Sequence, residues 1–387
     1  MSFIPYSCQT IEEEDVAAVV AALRSDYLTQ GPAIPQFEQA FADRHGAGEG
    51  VAVANATAAL HIGCLALGAA PGTRVWTSPN SFLASANCAL YCGATVDFVD
   101  INPATRNLSV PALRAKLEAA QAAGTLPQIV IPVDFSGLPC DAREIRELAD
   151  TYGFRILRDA SHATGASCRG RPVGSEFADA TVFSFHAVKI VTTAEGGMIT
   201  THDAALARRL RLLRSHGMTR DPAEMDAASE GPWFYQQVAL GFNYRITDLQ
   251  AALGLSQLRR LGPMHARRVA LADRYDGLLR GLALRLPPRL ADRESSWHLY
   301  VIEVDPDRTR VTRRELFEAL RAAGIGVNVH YIPIHLQPYY RALGFRPGDF
   351  PAAEAYYANA ISLPLFPRMT DAQQDTVVGV LRSALAG

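Results

Sequence analysis

Apolar residues in the first two-thirds of the chain fall into short runs, each followed by a stretch with helical spacing. Val51-Ala-Val-Ala54 is such a run. Leu60, Cys64 and Leu67 then recur at i, i+4 and i+7, which places them on one helix face. Arg74–Thr77 and Thr95–Val99 repeat the strand signal on either side of a helical stretch at Ser81–Tyr91. Gln128–Val133, Phe154–Leu157 and Ala180–Phe185 continue the series. Short apolar runs alternating with helices predict an α/β domain with a largely parallel sheet.

The pattern changes after about Asn243. Helical spacing runs from Thr247 to about Leu279, with Thr247 or Asp248 as N-cap and Gly262-Pro263 expected to kink it. Trp297–Val304 and Val327–His330 read as strands, Thr312–Ala323 as a helix, and the Pro-rich 332–338 as loop. The expected division is residues 1–245 as an N-terminal segment and large domain, and 246–387 as a linking helix and small α+β domain. At 387 residues the length suits two domains.

Composition excludes several classes. Hydrophobic residues make up 49% and charged residues 20%, as in an ordinary globular chain. A formal charge of −2 gives no global attraction to nucleic acid or an anionic membrane. Six scattered cysteines without a CxxC pair predict buried thiols rather than a disulfide framework, and no metal site is expected. Val51–Thr73 is uncharged, but Asn55, Thr57, His61, Gly63 and Gly68 interrupt it, so a membrane span is not expected. The first residues lack the basic and apolar regions of a secretory leader, and a cytoplasmic location is expected.

Four segments carry candidate chemistry. Ser184-Phe-His-Ala-Val-Lys189 follows a strand and precedes Thr192-Thr-Ala-Glu-Gly-Gly197, so a lysine stands among apolar and hydroxyl residues. Removal from water disfavours its charged form and makes the amine a nucleophile, while paired glycines let backbone approach a ligand. Asp159 ends a strand, where ligands sit in open α/β sheets. Asn55-Ala56-Thr57 opens a helix, whose free N–H groups suit a phosphate, with Thr57 and Ser184 as hydroxyl donors. Phe82, at the start of another helix, can stack on a flat ring.

These residues resemble the DegT/DnrJ/StrS sugar aminotransferases, within the fold-type I enzymes that use pyridoxal 5′-phosphate (PLP). Gly241-Phe-Asn-Tyr-Arg245, Thr247-Asp-Leu-Gln-Ala-Ala-Leu-Gly254 and Ser184-Phe-His-x-x-Lys189 carry the resemblance most specifically, and it covers nearly the whole chain. It implies that Lys189 bears the cofactor as a Schiff base and shuttles protons, with Asp159 against the pyridine nitrogen. It also implies Phe82 on the ring, His162 near the cofactor hydroxyl, and Ala56, Thr57 and Ser184 at the phosphate. Asn243 would reach the phosphate of a neighbouring subunit in a homodimer. Asp159-Ala-Ser-His162, Arg214-Ser-His-Gly-Met218 and Val329-His-Tyr-x-Pro-Ile334 resemble the branch serving pseudaminic acid biosynthesis. Many relatives carry Gln at the position of His162 and His at that of Asp134. Arg158 departs from the acidic or small residue usual before the Asp.

The resemblance therefore implies transfer of an amino group from L-glutamate to a nucleotide-linked 4-keto-6-deoxy sugar, with Arg220, His330, Tyr331 and His335 as candidate substrate contacts. Three alternatives stay open. In a dehydratase of this fold, His replaces the lysine. Transamination could occur at another keto position or on another nucleotide. A non-catalytic PLP-binding regulator usually carries a basic DNA-binding module, of which the chain shows none.

Overall fold

The structure, a computed structural model, describes residues 3–174 and 176–386. Its centre is a seven-stranded sheet: β1 (Glu49–Val53), β2 (Arg74–Thr77), β3 (Thr95–Phe98), β4 (Ile129–Ile131), β5 (Arg155–Asp159), β6 (Ala180–Ser184) and β7 (Gly197–Thr201). The spatial order is β1-β7-β6-β5-β4-β2-β3. Neighbours from β6 across to β3 are parallel, while β7 runs antiparallel to both β1 and β6. β1 and β4 to β7 are almost wholly buried, as expected of a sheet covered on both faces by helices. Each expected strand of the large domain is present within a residue or two. β7 is an addition, since Gly-Met-Ile-Thr-Thr is too short for a period to announce it.

The expected long helix is two. Asp248–Arg259 ends at Arg260 and Leu261–Leu279 follows, so the break lies three residues before Pro263. Proline has no N–H to give the preceding turn, which makes it tolerable only in the first turn of a new helix. Thr247 and Asp248 both cap, but different helices. Thr247 forms a capping box with Gln250 on its own helix. The Asp248 carboxylate accepts the N–H groups of Gly31 and Ala33, which open the Ala33–Arg44 helix.

The first of these two helices shares a core with Phe37, Phe41 and Phe185. The second runs into a separate core with Trp297, Tyr300, Leu316 and Leu381. That core surrounds the antiparallel pair Tyr300–Val304 and Ala360–Leu363 and the Arg313–Ala322 helix, and Ile4 from the start of the chain joins it. The expected strand Val327–His330 is only an isolated bridge, Asn328 to Ser362. Among the described residues no helix is long and apolar enough to cross a membrane, and no His/Cys/Asp/Glu group is arranged to hold a metal.

Candidate active site

Strand register collects the candidate residues at one end of the sheet. Gly197 is paired with Val53 on one side and Ser184 on the other, so the ends of β1 and β6 meet the start of β7. Asp159 ends β5 opposite Val182 of β6. A cavity of about 970 Å³ opens there, and its walls include Ala56, Thr57, Phe82, Asp159, His162, Ser184, Lys189, His330 and Tyr331.

The phosphate-sized end is built from backbone. Asn55 caps the Ala56–Ala66 helix by accepting the Ala58 N–H at 2.8 Å. Among the described residues no hydrogen bond takes the N–H of Ala56 or Thr57, so the positive end of the helix faces the cavity. Ser184, at the end of β6, lines the same cavity. Gly197 permits close approach to the helix start, because a Cβ there would fall 2.7 Å from the Asn55 carbonyl carbon and 2.8 Å from the Ala56 nitrogen.

Asp159 is 5% exposed and held by both oxygens. Oδ1 accepts the Ser161 N–H at 3.0 Å, and Oδ2 accepts the Ser85 hydroxyl at 2.6 Å. Ser85 in turn lies 2.7 Å from the Ser81 hydroxyl. Neither serine stands out in the sequence as a site residue, although their i, i+4 spacing around Phe82 is a usable signal. Lys189 follows β6 in a turn where its N–H donates to the His186 carbonyl. Desolvation lowers its amine to about 8, against the opposing pull of Asp159.

The facing wall is polar but uncharged. The His162 Nδ1 accepts the Ser136 N–H at 3.2 Å, which leaves its proton on Nε2, 3.1 Å from the Tyr331 hydroxyl. Burial, then Lys189 and His330, push the His162 imidazolium well below its ordinary range. Burial and Lys189 lower His330 to about 4, and its Nδ1 lies 2.7 Å from the Ser362 hydroxyl. Burial, then Asp159 and Tyr6, raise the Tyr331 phenol. Phe82 is exposed at the mouth, its ring 6.3 Å from that of Tyr331.

Three of the expected residues, His335, Arg220 and Asn243, lie outside this chain's cavity, Asn243 being the one expected to serve a neighbouring subunit. His335 is fully buried, with Nε2 2.8 Å from Glu354 Oε1, so it braces the C-terminal part and cannot contact a substrate. Arg220 is exposed beyond the cavity wall, and so is Asn243, beside its bridge partner Ser215. Conversely, Tyr6, Asn328 and His298 line the cavity without having been singled out. They arrive from distant parts of the chain, which no local spacing reveals.

The sequence that builds this site matches the DegT/DnrJ/EryC1/StrS aminotransferase family across residues 9–382. The chain belongs to that family. The spore coat polysaccharide biosynthesis protein SpsC of Bacillus subtilis is 41% identical over 388 residues, covering 100% of this chain and 98% of that one. Helicobacter pylori PseC, an aminotransferase involved in pseudaminic acid biosynthesis, superposes with a TM-score of 0.90 at 29% identity, with 100% of each chain covered. The PLP form of Spr1654 from Streptococcus pneumoniae gives 0.88 at 30% identity, with 99% of each covered. The fold is thus that of the PLP-dependent aminotransferases.

The residues of this DegT-family chain fit the cofactor. The bare N–H groups at Ala56 and Thr57 suit its phosphate, Asp159 its pyridine nitrogen, Lys189 its carbonyl carbon, and Phe82 one ring face. Ser85→Ala removes one of the two donors that orient Asp159. Loss of a hydrogen bond to a charged group predicts PLP binding weaker by about tenfold. A fluorescence titration of apo-protein checks this, and unchanged affinity would mean that the Ser161 N–H suffices.

Proposed function

We propose that the chain moves an amino group from L-glutamate to a nucleotide-linked 4-keto-6-deoxy sugar, of the type of UDP-4-keto-6-deoxy-N-acetyl-L-altrosamine. The observation that carries the reading is Lys189 and Asp159 converging at a helix-start anion cup, beneath a wall of neutral imidazoles and a phenol. The kinship with PseC supports the substrate class.

PLP supplies the electron sink that lets a substrate C–H bond ionise. Asp159 would hold the pyridine nitrogen in its protonated form, and Ser85 and Ser161 fix the direction of its oxygens. Nζ of Lys189 takes the proton from the donor carbon and later delivers one to the sugar carbon. An amine near 8 can do both close to neutral pH. Phe82 would cover one face of the ring, and His162 holds its Nε2 proton toward Tyr331.

The working unit is a homodimer with shared sites. Among the described residues lining the cavity, Lys189 is the one Lys or Arg. The cofactor phosphate, the donor carboxylates and a sugar diphosphate all need counter-charges, which a second copy supplies. Arg220 and Asn243 stand exposed in a segment that also displays Trp233 at 69% and Leu240 at 81% exposure. A cytoplasmic setting suits a substrate charged with a nucleotide.

The test is the absorption spectrum of the purified PLP-loaded protein. L-Glutamate is expected to bleach the yellow band, and UDP-linked 4-keto-6-deoxy sugar to restore it faster than its dTDP counterpart. A band indifferent to glutamate would rule out that donor, and preference for the dTDP sugar would rule out the nucleotide.

A further inference from the structure

His298 enters the cavity wall from the C-terminal part of the chain, two residues before the Tyr300–Val304 strand. It is 3% exposed, and its ring lies 4.5 Å from that of His162 at 42°. Nδ1 is buried without a partner, and among the described residues no hydrogen bond engages either ring nitrogen. Groups of this kind are rare in folded proteins, because an unpaired buried polar atom costs stability that an apolar side chain would not.

Its backbone, by contrast, is firmly tied. Nη1 of Arg268, itself 1% exposed, donates to the carbonyls of Trp297 and Leu365 at 3.0 and 3.2 Å. The Ser296 N–H donates to the Gly137 carbonyl, the Leu299 N–H to the Ser136 carbonyl, and the Ser296 hydroxyl to the His162 carbonyl at 2.5 Å. Gly137, at φ +100°, makes this docking possible, because a Cβ there would meet the Ser296 hydroxyl at 2.1 Å. A rigid mount thus presents an imidazole that spends none of its hydrogen bonds on the protein.

Charge decides what it would bind. Burial, then Lys189, His162, Arg268 and His330, hold the His298 imidazolium well below its ordinary range, and His162 and His330 are likewise neutral. Such a wall offers no counter-charge to a carboxylate. It suits oxygens that carry no charge.

Building on the sugar reading above, we propose that His298 is a substrate contact, hydrogen-bonding through a ring nitrogen to an uncharged hydroxyl or acylamino oxygen of the keto sugar. It takes no part in holding the amino donor. A site built to hydrogen-bond a substrate discriminates strongly once the bond is lost, because the group left behind is unpaired.

The PLP-loaded protein and its His298→Phe and His298→Asn variants test this by following the two half-reactions separately by absorption. Phe keeps a flat ring without nitrogens, and Asn keeps a donor and an acceptor. His298→Phe is expected to leave PLP affinity and the glutamate half-reaction within about twofold, and to lower kcat/KM for the sugar about thirtyfold. Asn is expected to recover most of that loss. Equal damage to both half-reactions, no change in either, or Asn no better than Phe would overturn the proposal. A wild-type protein that accepts the amino group from glutamate but passes it to no sugar would remove the sugar reading itself, and this contact with it.

Discussion

Lys189→Ala is expected to lower amino transfer about 10⁴-fold, the upper end of what one positioned proton carrier contributes. In the proposed reaction the lysine both bonds the cofactor and serves as the base toward the substrate carbon, so a single substitution would remove two functions. A second expectation concerns pH. An ordinary lysine has about one neutral amine in three thousand at pH 7, whereas an amine near 8 has about one in ten. The rate at which apo-protein captures PLP is therefore expected to rise about tenfold from pH 7 to pH 9 and then level off. Stopped-flow absorption across that range checks both. A rate still climbing tenfold per unit above pH 9 would mean that burial does not depress the amine. Residual turnover in Lys189→Ala within tenfold of wild type would assign the proton to another residue.

The parts of the fold that the sequence made legible are those set by local chemistry. Val51–Ala54 and the buried centres of Arg74–Thr77 and Ala180–Phe185 announce themselves because a strand covered on both faces is mostly apolar and shows no polar alternation. Thr247 and Pro263 mark helix starts through N–H groups that need an acceptor or, for proline, do not exist. Lys189 stands out because charge is scarce around it. The rest depends on partners far along the chain. β7 runs backwards between two strands that point the other way, and nothing in Gly-Met-Ile-Thr-Thr encodes its neighbours. His330 and His335 stand five residues apart and look equivalent in sequence. One meets the cavity and the other meets Glu354, because the Ile334–Leu336 turn carries His335 inward. His298 was legible only as a residue of the expected strand Trp297–Val304, which in the structure begins at Tyr300, and its position against His162 comes from tertiary packing.

Asp134→Ala is expected to cost about 3–5 kcal/mol of stability, the usual consequence of stranding a buried charge. Arg158 was the residue that departed from the family pattern, and the structure gives it a place. It precedes Asp159 on β5 and points to the opposite face, as strand alternation requires. There its Nε and Nη2 meet both oxygens of Asp134, at 2.9 and 3.0 Å. Asp134 is fully buried and Arg158 is 4% exposed. Desolvation opposes the Arg158 charge, and the Asp134 carboxylate more than restores it. Asp134 also accepts the Cys140 N–H at 2.8 Å and donates its own N–H to the Asp159 carbonyl at 3.0 Å. The pair thus braces the strand end that carries Asp159, the carboxylate proposed to face the cofactor, so Asp134→Ala is expected to weaken PLP binding as well as folding. A buried pair need not be stabilising in itself, because desolving two charges offsets much of their attraction. The double variant Asp134→Leu/Arg158→Met, which removes both charges at similar volume, is therefore expected to recover most of the loss. Urea midpoints of the single and double variants, read with PLP absent, separate the two terms. A single variant that costs under about 1 kcal/mol would mean that water reaches Arg158. A double variant as damaged as the single would place the cost in lost packing and the orphaned Cys140 N–H, not in charge.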